Sequence, residues 1–219
     1  MKVKKITFII GIFFFCYYEV SAQEIRGGVE LEYGFIDKVE TEFQFQLRNC
    51  MRNNSHIINQ GIVQTAIEYC PVQCLNISCA YRYTTGIKKD NENAGINNNI
   101  EGKHRITTDI SFKIKDLFKD AKISNRIRYQ FSVKERDTQK FYLRNKLKCE
   151  YKLAKKVSPY AALEPFYSIE KNCIKTFRLY IGGEFELLRN TIDIYIINEL
   201  SSKNEQYSSY RIVGLSYKL

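Results

Sequence analysis

The sequence is poor in histidine, proline and tryptophan. It has two histidines, three prolines and no tryptophan in 219 residues. His56 and His104 lie far from the cysteines in sequence, which argues against zinc, because structural zinc sites draw on Cys and His at short spacings. Nothing else in the sequence calls for a cofactor. After residue 22 no long uninterrupted apolar run occurs, which excludes a membrane-spanning helix there, since such a helix needs about 20 apolar residues. Acidic residues are the minority, 24 against 34 Lys and Arg, for a formal charge of +10. A basic excess of this size invites nucleic acid as a partner. The charges, however, are spread along the chain rather than clustered, and the N-terminal segment directs the chain out of the cytoplasm. Nucleic acid is therefore set aside.

That segment carries Lys2, Lys4 and Lys5, then an apolar run over 6–18, then Val20-Ser21-Ala22. A basic start, an apolar middle and small residues at the exit make a secretory signal peptide. The run is too short for the ~20 residues of an anchoring helix. Cys16 sits inside it without the small residues of a lipoprotein site before it. Cleavage is expected after Ala22, leaving residues 23–219 as the mature chain. Removal of the leader takes away Lys2, Lys4, Lys5 and Glu19 and leaves a net charge of +8.

Six cysteines then remain: Cys50, Cys70, Cys74, Cys79, Cys149 and Cys173. An even number in an exported chain suggests disulfides, but the spacing is irregular. Cys70 and Cys74 flank Pro71-Val72-Gln73 and are the candidate pair for a bridge across a hairpin.

What the chain does have is period-two alternation, from residue 28 to the end. Val39, Thr41, Phe43, Phe45 and Leu47 take odd positions, with Glu40, Glu42, Gln44 and Gln46 between them. Residues 104–114, 123–133, 141–153 and 177–187 repeat the scheme. Such alternation makes strands with one apolar and one polar face. A soluble sandwich turns the apolar faces inward; a membrane barrel turns them outward around a polar lumen. The runs reach about 10 to 13 residues, longer than the ~5 or 6 usual in soluble sheets and enough for the ~9 to 11 that cross a bilayer at a tilt. Tyr33, Tyr69, Tyr81, Tyr83, Tyr167 and Tyr217 fall near strand ends, where interfacial girdles belong. Val213, Leu215, Tyr217 and Leu219 carry the alternation to the last residue, as in the C-terminal strand that barrel assembly machinery reads.

Eleven stretches read as strands, near 28–36, 39–49, 61–70, 74–84, 102–114, 122–134, 140–153, 157–169, 175–187, 190–200 and 208–219. Bacterial single-chain barrels have an even number. The expectation is therefore an all-β, antiparallel up-and-down transmembrane barrel of about ten strands, with 28–36 outside the wall, or of twelve. Counting back from a periplasmic C-terminus puts the short connections 37–38, 71–73, 115–121, 154–156 and 188–189 inside. The Gly/Asn-rich 86–100 then becomes the longest outer loop.

Certain strand motifs also carry a family likeness. These are Tyr81-Arg82-Tyr83, His104-Arg105-Ile106, Arg126-Ile127-Arg128-Tyr129 and Phe141-Tyr142-Leu143-Arg144-Asn145-Lys146-Leu147. Further on come Pro159-Tyr160, Leu163-Glu164-Pro165-Phe166-Tyr167 and Phe177-Arg178-Leu179-Tyr180 before Gly182-Gly183. With them, the C-terminal two-thirds resembles the outer-membrane barrel family of Bacteroidetes known as domain of unknown function 2490. The resemblance implies an outer-membrane location, contact with outer-membrane lipid and a barrel fold. It implies no activity.

The polar faces are the richest feature. Arg82, Arg105, Arg126, Arg128, Arg144, Glu164, Arg178 and Glu184 are expected to point into the lumen, pairing into charged ladders or lining a small pore that favours anions. Glu164, among Arg-bearing strands, reads as an ion-pair partner. Lipid hydrolysis or acyl transfer would need a nucleophile, a base and an orienting group within hydrogen-bond reach. Ser111 stands on the opposite face from His104, and Ser78 and Ser132 would meet it only through strand pairing. Two functions therefore compete, a structural barrel or passive pore and a lipid-modifying enzyme.

Overall fold

A computed structural model describes residues 22–52, 56–89, 98–118, 120–134, 139–187, 190–203 and 206–219. The expected leader lies outside the described residues up to residue 21. Eleven strands follow in order: β1 (Glu24–Ile36), β2 (Val39–Arg52), β3 (His56–Val72), β4 (Leu75–Lys89), β5 (Asn98–Phe118) and β6 (Ala121–Lys134), then β7 (Gln139–Tyr151), β8 (Val157–Ser168), β9 (Cys173–Leu187), β10 (Asn190–Lys203) and β11 (Gln206–Lys218). They close into a barrel in which each strand is antiparallel to its neighbours in sequence. The wall is all-β, as expected, and its count is eleven. Strands that alternate in direction and are odd in number bring two like-directed strands together at closure. Accordingly β1 and β11 run parallel, from Glu24 opposite Ile212 to Glu30 opposite Lys218. The segment 28–36 is thus a wall strand.

Several bonds tie this seam. Leu219 N–H donates to Glu30 O at 2.9 Å, Glu32 N–H to Leu219 O at 3.3 Å and Gln23 N–H to Arg211 O at 3.0 Å. Lys218 Nζ lies 3.4 Å from Glu30 Oε1 across it. The turns at 37–38, 73–74 and 152–156 share one end with the last residues of β11. The other end carries the longest connection, between β4 and β5. There β4 and β5 stay paired out to Lys89 opposite Asn98, so the expected loop 86–100 is strand at both edges, and 90–97 lie outside the described residues.

The alternation resolves into two faces. Outside stand Phe43, Phe45, Leu47, Ile67, Ile106, Ile110, Ile127, Leu143, Leu147 and Leu215, with Phe43 54% and Ile67 59% exposed. Inside stand Arg26, Glu30, Gln46, Gln64, Asp109, Gln130, Arg144 and Glu164, all buried. The inner and outer chemistries are therefore the reverse of a soluble protein's.

Proline marks one interruption. The β7–β8 ladder pairs Arg144 with Phe166 and next pairs Leu147 with Leu163. Pro165 has no N–H to give, and the ladder opens at Glu164-Pro165.

Candidate functional site

An eight-stranded barrel is just filled by its own side chains, and a sixteen-stranded one holds a water channel. Eleven strands fall between, and the lumen is half solid. On the β8–β11 side Tyr160, Ala162, Tyr180, Ile197 and Ile212 form a buried apolar cluster, with Tyr195 and Tyr210 packed on it. Cations from β7 and β9 lie on these and neighbouring rings. Arg144 and Arg178 sit 4.0 and 4.6 Å from the Phe166 centroid, Lys146 is 4.1 Å from that of Tyr180, and Lys148 is 4.2 Å from that of Tyr160. Desolvated cation–π contacts of this kind contribute about 2 kcal/mol each.

The other half holds a cavity of about 510 Å³. It exists because β3–β5 present small residues there: Ala66, Ser78, Ala80 and Ser111. Eleven Lys and Arg side chains line it against six Asp and Glu, so its field is cationic.

Register explains how so many cations share one lumen. Among the residues that line the cavity, four pairs of cations stand directly opposite each other on adjacent strands: Arg26 with Arg48, Arg82 with Arg105, Arg126 with Lys146, and Arg128 with Arg144. Like charges so placed repel. In three of the pairs a carboxylate offsets the repulsion. Glu24 Oε1 lies 2.5 Å from Arg26 Nε and 3.9 Å from Arg48 Nε. Asp109 takes both ends of Arg128, at 2.6 and 2.5 Å. Glu164 Oε1 lies 2.8 Å from Arg144 Nη2 and 3.3 Å from Arg126 Nη2. Its Oε2 accepts from Tyr180 Oη at 2.5 Å, and Glu164 is 0% exposed.

The fourth pair is different. Arg82 donates to the neutral Gln64 Oε1 at 2.7 Å and Gln44 Oε1 at 3.4 Å. Among the described residues no carboxylate lies within ion-pair reach of Arg82 or Arg105.

The residues singled out in the sequence thus separate. Arg82, Arg105, Arg126, Arg128, Arg144 and Arg178 line the cavity. Glu164 lies buried against the cavity-lining Arg126 and Arg144. Glu184 holds Lys148 at 2.6 Å, and Arg178 binds Glu199 at 2.6 Å. Sequence reasoning passed over Arg26, Arg48 and Gln64, and placed Gln44 on a polar face without giving it a role. The alternation of 39–47 runs on to Arg48, so following it one residue further would have found that one. The amides carry no charge to attract notice.

Among the described residues, His104 and the serines do not come together. The exposed His104 shares a 2.7 Å hydrogen bond with Tyr81 Oη and lies tilted against Tyr83, centroids 5.1 Å apart. Ser132 is buried opposite Arg105, and Ser78 pairs with Asp109, which puts both on the lumen face of the wall, away from His104. The side chain of His56 lies outside the described residues. Cys70 and Cys74 are free thiols; Val72 pairs with Leu75 and Tyr69 with Ile77, so Cys74 sits in the turn and not opposite Cys70.

The family model of a protein of unknown function, DUF2490, matches residues 28–208. The chain belongs to this family. The match begins within β1 and ends within β11, so the DUF2490 region and the barrel wall are the same unit, wider than the motifs from residue 81 onward imply. No curated protein matches the chain. For the DUF2490 barrel, function must accordingly be argued from the lumen and the outer surface.

Proposed function

We propose that this DUF2490 barrel is an integral protein of the bacterial outer membrane, exported by the leader over residues 1–22, with a lumen that acts as a small passive pore for anions. The observation that carries the reading is the inversion of faces. A band of Ile, Leu, Val and Phe covers the outside, and such a band exposed to water would be an aggregation surface, whereas lipid satisfies it. The tyrosines support the same reading: Tyr33, Tyr69 and Tyr81 face outward. Outer-membrane lipid is then the first partner, and the barrel assembly machinery, acting on β11, the second. The excess of cations on the cavity wall favours anionic solutes.

The test begins with fractionation and a comparison of heated and unheated samples on a semi-native gel. A detergent-requiring species whose band shifts on heating is expected. Reversal potentials across planar bilayers in a KCl gradient should then show anion preference. A protein soluble without detergent overturns the membrane reading; a silent or cation-preferring barrel overturns the pore and leaves a structural role.

A further inference from the structure

We infer that Arg82 and Arg105 form a built site in the lumen for an oxyanion of the phosphate class, carried by a ligand with one anionic head. This deepens the pore reading by naming the class of solute the lumen holds.

The argument starts from the charge pattern. Of the four facing cation pairs on the cavity wall, three have a carboxylate between or against them, and among the described residues the Arg82–Arg105 pair has none. Arg105 Nε is buried and meets no acceptor among the protein atoms described, a costly state for a guanidinium donor. The same is true of Arg126 Nε and Arg144 Nε, but those two guanidinium groups reach Glu164 through Nη2. What the protein supplies instead is orientation. Gln44, Gln64, Arg82 and Arg105 form one row across four strands, and the two amide oxygens hold the Arg82 fork. Gln64 also donates to Glu42 at 3.2 Å, so a neutral amide separates the cation from that carboxylate. Two guanidinium groups facing each other beside open space match the geometry of a tetrahedral oxyanion, which accepts several N–H bonds at once.

The cavity also limits the ligand. Glu42 and Glu68 stand opposite Ala66 and Ser78, one or two steps further toward the 37–38 end. A polyanion would meet these carboxylates. A single phosphate or phosphomonoester head on a neutral or cationic body would not.

The full barrel, refolded in detergent, is titrated calorimetrically with inorganic phosphate at constant ionic strength set by NaCl, and its heat-modified band is followed against temperature. Saturable one-to-one binding is expected, with phosphate raising the unfolding temperature and chloride not competing. Arg105→Gln should bind about tenfold more weakly or worse, yet unfold at a higher temperature than the parent without phosphate, because a facing like charge has gone. Lys155→Gln, in the exposed turn after β7, should behave as the parent. Glycerol phosphate binding like phosphate would identify a phosphomonoester head as sufficient. Absence of saturable binding in a heat-modifiable, detergent-requiring barrel overturns the site alone; so does full binding by Arg105→Gln. A chain that needs no detergent overturns the membrane reading instead.

Discussion

Glu164 is the side chain on which most of the lumen's cation balance turns. It is fully buried, its two oxygens engage Arg144, Arg126 and Tyr180, and the carboxylate sits where Pro165 has opened the β7–β8 ladder. Removing one partner of a buried ion pair leaves the other charge uncompensated, at about 3–5 kcal/mol. Glu164→Leu should lower the urea stability of the refolded barrel by that order, and Glu164→Gln, which keeps an acceptor for Tyr180, by less. Equal stability of Leu and parent would mean that the aromatic contacts of Arg144 hold it unaided. Strand parity alone puts Glu164 on the polar face, so that much is legible from Leu163-Glu164-Pro165-Phe166. Its partners are not, because they come from β6, β7 and β9, and the registers that bring them together are set by pairing across the sheet.

Among elements, β8 to β11 are locked by tyrosines lying over glycines. Tyr160 is opposite Gly182, Tyr195 is opposite both Gly182 and Gly214, and the Tyr195 ring occupies the place a Cβ at Gly214 would take. A ring over a glycine covers backbone that would otherwise lie bare and pins the register. Gly214→Ala should therefore cost about 1–3 kcal/mol. Because every close atom belongs to Tyr195, Tyr195→Ala combined with it should cost less than the two singles summed, a coupling that a double-mutant cycle in urea would read. Strict additivity would show that the ring moves aside freely. The strands themselves were readable because a side-chain period of two is a local property. The inward turn of Tyr180 was readable the same way, since parity sets it on the polar face with Arg178 and Glu184. That of Tyr160 and Tyr195 was less so, because a tyrosine suits either face of a strand and only the closed lumen decides between them.

At the scale of the whole molecule, the wall closes through a parallel pair, and no single strand's pattern announces that. The sequence shows eleven alternating stretches; the rule of even strand numbers argues against all of them lying in one wall. Closure depends on which edge meets which, a relation between residues almost 190 positions apart, such as Tyr210 and Gln23. The seam can be tested by crosslinking in a variant whose native cysteines are serine. Val29 lies opposite Tyr217 across β1–β11, and opposite Phe45 across β1–β2. If β1 stood outside the wall, β2 would take its place against β11, and Phe45 would come to the position that Val29 holds. Val29→Cys with Tyr217→Cys should therefore crosslink under mild oxidation in the folded, heat-modifiable form, and Phe45→Cys with Tyr217→Cys should not. The reverse pattern would replace the eleven-stranded wall with ten strands, remove the bond between Lys218 and Glu30 from the lumen, and leave the Arg26–Arg48 pair without its place against the cavity.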